Sequence, residues 1–198
     1  MTWEQVKMLA AAVAAKYRNL IIVLSQTGMR VGEATGLLWK CVNLTDEWRI
    51  VDQKALPPNS LLVNSAWVRN ERTTTKNKCY RIIPLTTECW IAFMEQYEWS
   101  KFRGEGQPVF ASRVGTPLDS HNFQERIVKP AAKKIGLPGI TVHCLRHTTA
   151  TMADKVGLTV ADKMKILGHR TADISAHYTH PEIERVRAAM ERMSEKIQ

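Results

Sequence analysis

Apolar side chains recur every three or four residues at both ends of the chain, and β-branched or aromatic ones cluster in the middle. The first pattern predicts amphipathic helices, the second short strands. Thr2 and Gln5 form a capping-box pair ahead of a helix through about Lys16. The run Leu20–Leu24 extends it as a buried helix that Gly28 breaks, and residues 31–40 form another, with Val31, Ala34, Leu37 and Leu38 on one side. From Asn43 onward, residues 48–51, 61–68 and 79–85 read as strands close enough in sequence for hairpins, hence antiparallel. Helices resume at 86–102, 119–135, 143–156, 159–167 and 181–197, with Thr86, Asp119 and Thr159 as N-caps and Gly136, Gly157 and Gly168 as stops. The expected fold is mainly α with a small antiparallel β-sheet (α+β), and no linker divides it.

The chain has 198 residues, enough to bury about 70% of its unfolded surface without disulfides or metal. Lys plus Arg number 28 against 19 Asp plus Glu, a net charge of +9, so the expected partner carries dense negative charge, nucleic acid first. No apolar run approaches the ~20 residues of a membrane span, and residues 1–30 lack the pattern of a secretory signal. Cys41, Cys79, Cys89 and Cys144 have no regular spacing and read as reduced thiols of a cytoplasmic protein. A P-loop, a dinucleotide fingerprint and a nucleophile elbow are all missing. His143 and His147 have zinc-pair spacing, but Cys144 stands where a metalloprotease has Glu, so no metal and no cofactor is expected.

The chemistry-bearing residues are dispersed but ordered. Thr27-Gly28-Met29-Arg30-Val31-Gly32-Glu33 sets an arginine at a helix start. Thr75-Lys76-Asn77-Lys78 precedes the strand ending at Pro84. His143-Cys144-Leu145-Arg146 is followed by Leu167-Gly168-His169 and then Ala176-His177-Tyr178-Thr179-His180. This order, from about residue 20 to 180, closely resembles the tyrosine recombinase, or phage integrase, family: Arg, hairpin Lys, His-x-x-Arg, Leu-Gly-His and a nucleophilic Tyr.

The resemblance implies a catalytic set of Arg30, Lys76, His143, Arg146, His169 and Tyr178. Strand exchange without metal or ATP needs an in-line nucleophile, charge on two non-bridging phosphate oxygens, and a proton for the leaving 5′-oxygen. Tyr178 would form a 3′-phosphotyrosyl ester, although only ~0.1% of an unperturbed tyrosine is ionised at pH 7. Arg30 and Arg146 suit the two oxygens because guanidinium is planar, bidentate and always charged. His143 would take the tyrosine proton, His169 would donate a hydrogen bond, and Lys76 would be the general acid, with Lys78 as the alternative. Glu33 would orient Arg30. Each has a bland alternative: an Arg30–Glu33 surface pair, a core role for His143 or Tyr178, a helix-end cap for His169.

Residues 69–81 hold Arg69, Arg72, Lys76, Lys78 and Arg81 against Glu71. Arg126, Lys129 and Lys133 share one face of the expected 119–135 helix. Arg72, Lys78, Arg126, Lys129 and Lys133 are therefore expected phosphate contacts on double-stranded DNA, with Asn122 nearby as a base reader. The stretch from Asp46 to Lys76 is longer than the usual family sheet, which leaves strand register open around 52–60.

The expected organisation is a single catalytic domain, 1–198, without the N-terminal core-binding and arm-binding domains that relatives carry: an excised domain or a minimal homologue, the first favoured. Ile183, Val186, Met190, Met193 and Ile197 have a/d spacing. The seam either packs on its own domain or, as the resemblance implies, docks segment 181–198 on a neighbouring subunit of a tetramer on DNA, in which case deleting 182–198 spares the fold and lowers recombination. The alternatives are a type IB topoisomerase and a non-catalytic DNA-binding regulator on the same scaffold.

Overall fold

A computed structural model describes residues 1–74, 80–168 and 179–195. Helix α1 (Trp3–Ala12) opens on the expected box: Gln5 N donates to Thr2 Oγ1 at 3.2 Å and Thr2 N to Gln5 Oε1 at 2.9 Å. It stops earlier than the apolar pattern suggests, because Val13 and Ala14 extend and Val13 turns into the core. Helix α2 (Ala15–Thr27) then runs through the middle of the domain, burying Leu20, Ile21, Val23 and Leu24 against α1, α4 (Thr87–Trp99) and α7 (Val142–Lys155).

The helix expected over 31–40 is only α3 (Val31–Thr35). A Cβ on Gly36 would lie 2.7 Å from the backbone nitrogen of Trp67, so a hairpin occupies the path of the next turn. That hairpin is β5 (Ser65–Val68) with β6 (Glu71–Thr74). Arg72 Nη1 ties it down by donating to Gly36 O at 2.8 Å and Ser65 Oγ at 2.9 Å.

The expected single sheet is three small ones. A central sheet orders β1 (Val42–Asn43), β4 (Ser60–Val63) and β7 (Arg81–Pro84) as β1-β4-β7, all antiparallel, with Leu61 opposite Ile83 and Leu62 opposite Ile82. Both faces of β4 and β7 are buried, as their unbroken apolar runs require. The expected 61–68 strand divides at Asn64 into β4 and β5. The excess around 52–60 is a hairpin, β2 (Arg49–Val51) with β3 (Lys54–Leu56), turning through Asp52 and Gln53 at φ 49° and 63°. Two successive positive φ angles match the twist of a two-residue hairpin loop. Buried Asn43 fastens this region, donating through Nδ2 to Glu47 O and Pro57 O, both at 2.8 Å.

The 119–135 region starts at the expected cap, where Asn122 N donates to Asp119 Oδ1, but only its ends are α: α5 (Ser120–Asn122) and α6 (Lys129–Lys134). Phe123–Val128 is a π-helical segment. Pro130 explains the wider turn, since it has no N–H and its ring would meet the carbonyl of Arg126 in a regular α-helix. Helix α8 (Val160–Leu167) starts at Thr159 and ends at Gly168 as expected.

Helix α9 (His180–Glu195) packs on α7 and β7, and Ile183, Val186, Met190 and Met193 are all buried in the chain's own core. Arg185 forks onto Asp162 with both bonds at 2.9 Å, and Thr87 N and Oγ1 donate to Glu191 Oε1. The expectation that this helix can be removed with the fold intact is corrected: its apolar seam already packs on α7 and β7. Ile197 lies outside the described residues. Met190→Ala should therefore lower unfolding free energy by about 2–5 kcal/mol in a denaturant titration. Unchanged stability would mean the seam is not core.

Candidate active site

The site grows from the end of α2. After Thr27 the chain turns at Gly28, and Arg30 takes extended backbone as the N-cap of α3, so its side chain leaves the helix start with 53% of it exposed. One turn later the buried Glu33 reaches back. Its Oε2 accepts from Arg30 N at 2.8 Å and its Oε1 from Arg30 Nη1 at 3.1 Å. The Arg30–Glu33 pair of the sequence reading is thus present, and it orients the arginine.

Glu33 also accepts a second, buried guanidinium. Arg81, on β7, donates through Nη2 to Oε2 at 2.6 Å and through Nη1 to Oε1 at 3.1 Å. Its Nε donates to Ile166 O at 2.8 Å, at the end of α8. In the sequence Arg81 is only one member of the basic group at 69–81, with no role of its own; in the fold it points inward. The available signal was its position directly before Ile82-Ile83 in a strand buried on both faces, where an arginine needs a carboxylate. These bonds and the neighbouring Arg30 hold the Glu33 carboxyl below the usual carboxylate range, against the burial that would raise it.

Arg146, on α7, is buried and completes the cluster. Nη1 donates to Gly28 O and Nη2 to Leu167 O, both at 2.5 Å. These bonds tie the turn that carries Arg30 to the helix end that precedes His169. Burial, then the nearby Arg30 and Arg81, push its guanidinium down to about 10, so it remains charged at neutral pH. One carboxylate thus sits among three guanidinium groups, leaving an excess of positive charge.

His143, one turn before Arg146 on the same helix, is exposed. Its ring meets that of His147 edge-on, with centroids 4.5 Å apart. Partial burial lowers its pKa below the ordinary histidine value, helped by His147, Arg146 and Arg30, so the neutral proton-accepting form prevails at pH 7. No cluster of three or more His, Cys, Asp or Glu with metal-binding geometry occurs among the described residues.

The structure thus gathers Arg30, Glu33, His143 and Arg146, with Arg81 added. Lys76, Lys78, His169 and Tyr178 lie outside the described residues, which stop at Gly168 and resume at Thr179 on either side of the last two. Of the expected DNA contacts, Asn122, Arg126, Lys129 and Lys133 are exposed. The π segment breaks the regular helical spacing assumed for the basic stripe, and Lys129 is paired with Glu125 at 2.7 Å. Arg72 anchors a hairpin. Cys41 and Cys89 are buried free thiols whose pKa burial raises, Cys41 to about 11. No helix among the described residues is long and apolar enough to cross a membrane.

Comparison with known proteins bears on the family and the fold. The integrase of Mycobacterium phage L5 is 26% identical over 98% of this chain and 51% of its own length. Transposase A from transposon Tn554 of Staphylococcus aureus is 30% identical over 84% of the chain and 44% of its own. The chain therefore spans about half the length of these curated relatives. The fold matches that of the Tn1549 transposon integrase in complex with transposon right end DNA, with a TM-score of 0.72 and 21% identity over 97% of this chain and 65% of the other. It also matches the lambda integrase catalytic core, with a TM-score of 0.61 and 21% identity over 87% of this chain and 92% of the other. Residues 1–185 match the phage integrase family, and with the arginine–histidine cluster in place the chain belongs to that family.

Proposed function

We propose that the chain is the catalytic domain of a site-specific DNA recombinase, which cuts and rejoins double-stranded DNA through a 3′-phosphotyrosyl intermediate. The observation that carries the reading is the convergence of Arg30, Arg146 and His143 at one place, with Glu33 shared between Arg30 and Arg81. That excess of fixed positive charge is what a phosphodiester gathering charge in a transition state requires. Arg30 and Arg146 bind the two non-bridging oxygens; each keeps N–H groups beyond those used inside the protein. Tyr178 Oη attacks phosphorus as His143 takes its proton. The bond to the 5′-oxygen breaks, and Lys76, or Lys78, protonates that oxygen while His169 donates a hydrogen bond to the phosphate. The ester energy is conserved in the tyrosyl bond, so rejoining is the same path reversed.

Relatives include a phage integrase and a transposon's transposase, and the domain is proposed to act on DNA in a bacterial or phage-infected cytoplasm. It would work as a tetramer on DNA with the rest of the DNA clamp supplied by segments outside 1–198. Docking of segment 181–198 on a neighbour would use side chains other than the seam buried by α9. Asn122, Arg126, Lys129 and Lys133 are proposed to lie along the duplex.

On a nicked suicide duplex, the chain should form a covalent adduct in EDTA without nucleotide. Tyr178→Phe should abolish the adduct while sparing DNA binding, and Arg146→Ala should slow its formation by roughly 10²-fold or more. An adduct from Tyr178→Phe, or one that depends on added Mg²⁺, would overturn the reading.

Protonating His143 removes the acceptor, so the adduct rate should fall on the acid side with a midpoint below the ordinary histidine value of 6.5. His147→Ala should move that midpoint upward, because the side chain that opposes His143 protonation is gone. A midpoint unmoved by the substitution would separate His147 from the titration.

With its +9 charge, binding should weaken steeply with salt, log affinity falling by about 0.9 per log unit of salt for each phosphate neutralised. A flat salt titration in a gel-shift or anisotropy assay would contradict a phosphate-led interface.

A further inference from the structure

We propose that Arg81 is a positioning residue for the phosphate-binding arginines: it fixes the Glu33 carboxylate so that Arg30 is aimed without being captured, and it holds the end of α8 beside Arg146. The inference rests on the reading that Arg30 and Arg146 grip a phosphate.

Arg30 is half exposed on a short helix start, and a carboxylate is its nearest anion. Left to themselves, Arg30 and Glu33 would form a neutral pair, and Glu33 would compete with phosphate for the guanidinium. Arg81 changes both the geometry and the charge. Its planar fork takes one hydrogen bond to each Glu33 oxygen, which fixes the plane of the carboxylate and leaves its remaining lone pairs for Arg30 N and Nη1. The trio carries a net positive charge, so Glu33 orients Arg30 while its own charge is already largely balanced by the buried partner.

The other edge of Arg81 acts at a distance in sequence. Carbonyls in the last turn of a helix lack intrahelical donors. Arg81 Nε satisfies Ile166 O at 2.8 Å and Arg146 Nη2 satisfies Leu167 O at 2.5 Å, so the two guanidiniums grip adjacent carbonyls of one helix end. Gly168 lies directly on Arg81: a Cβ there would sit 2.8 Å from Nη1, and its φ of 66° is one that side-chain-bearing residues rarely adopt. Arg81 therefore joins three elements: α3 with Arg30, the end of α8 beside Arg146, and its own strand β7.

The test compares Arg81→Lys, which keeps the charge but loses the fork, with Arg30→Ala and with the double variant, all in the 198-residue chain. The probe is a nicked suicide duplex chosen by its binding to the wild-type chain from a random-sequence pool. Arg81→Lys should slow single-turnover adduct formation by about 10²-fold, the cost of a small misplacement of a reacting group. Its Kd for the same duplex should stay within about twofold of wild type, and the double variant should lose no more than about twofold beyond Arg30→Ala, because Arg81 acts through Arg30. A merely structural role predicts the opposite, with losses that multiply and follow the drop in thermal midpoint. An unchanged Arg81→Lys rate, or multiplying losses, overturns the proposal alone. If Arg81→Lys does not fold, the neutral pair Glu33→Gln with Arg81→Gln enters the same cycle with Arg30→Ala. No adduct from the wild-type chain would overturn the recombinase reading and this inference together.

Discussion

Glu33 is a buried carboxylate, and burial of an ion is costly unless geometry and hydrogen bonds compensate. Here it accepts four hydrogen bonds, two from Arg81 and two from Arg30. Removing one partner from such a group costs about 3–5 kcal/mol, because the charge left behind is uncompensated. The pieces of chain that supply these groups are far apart in sequence: α3, and β7 some 48 residues on. Satisfying one carboxylate therefore fixes the packing of the central sheet against the turn that presents Arg30. A requirement of stability and a requirement of phosphate chemistry fall on the same atoms.

The second organising constraint is close backbone approach. Arg146 reaches through the core to Gly28 O on one side and Leu167 O on the other, so α7 holds two chain segments that flank the site. Gly36 lets a hairpin lie on the end of α3, and Gly168 lets the end of α8 lie on Arg81. In both places a Cβ would fall under 3.0 Å from a neighbouring atom. These contacts convert a short five-residue helix, which would not hold alone, into a rigid platform for Arg30.

Rigid carriers also explain how positive charge can be held in place inside the fold. Arg146 and Arg81 are buried and held by carbonyls and a carboxylate, while Arg30 and His143 are open to solvent. Arg81 is held wholly inside the protein, whereas Arg30 and Arg146, with N–H groups left over, are the two proposed to meet a phosphate. Burial first, and then the like charges, lower the proton affinity of His143 and of Arg146. A histidine kept neutral has one ring nitrogen without a proton, the form that the proposed proton transfer needs.

The sequence by itself determined the helix ends where a cap or glycine acts locally: Thr2, Thr86, Asp119 and Thr159 at starts, Gly28 and Gly168 at stops. It determined the ordered constellation too, because Arg30, His143 and Arg146 stand in a recognisable order, and the structure brings them together. Only the tertiary structure decided the rest. Helix 31–40 is cut at Gly36 by a hairpin that local periodicity cannot register. One expected strand became β4 and β5, and residues 54–56 joined a hairpin, since strand partners are set by pairing across the fold. The seam of α9 has the spacing of a partner-facing helix, yet spacing reports only that a face is buried, and the core of the same chain buries it. Arg81 was one basic residue among several in the sequence. Its role came from Glu33, a partner supplied by the fold, because an ion's function depends on what is buried beside it.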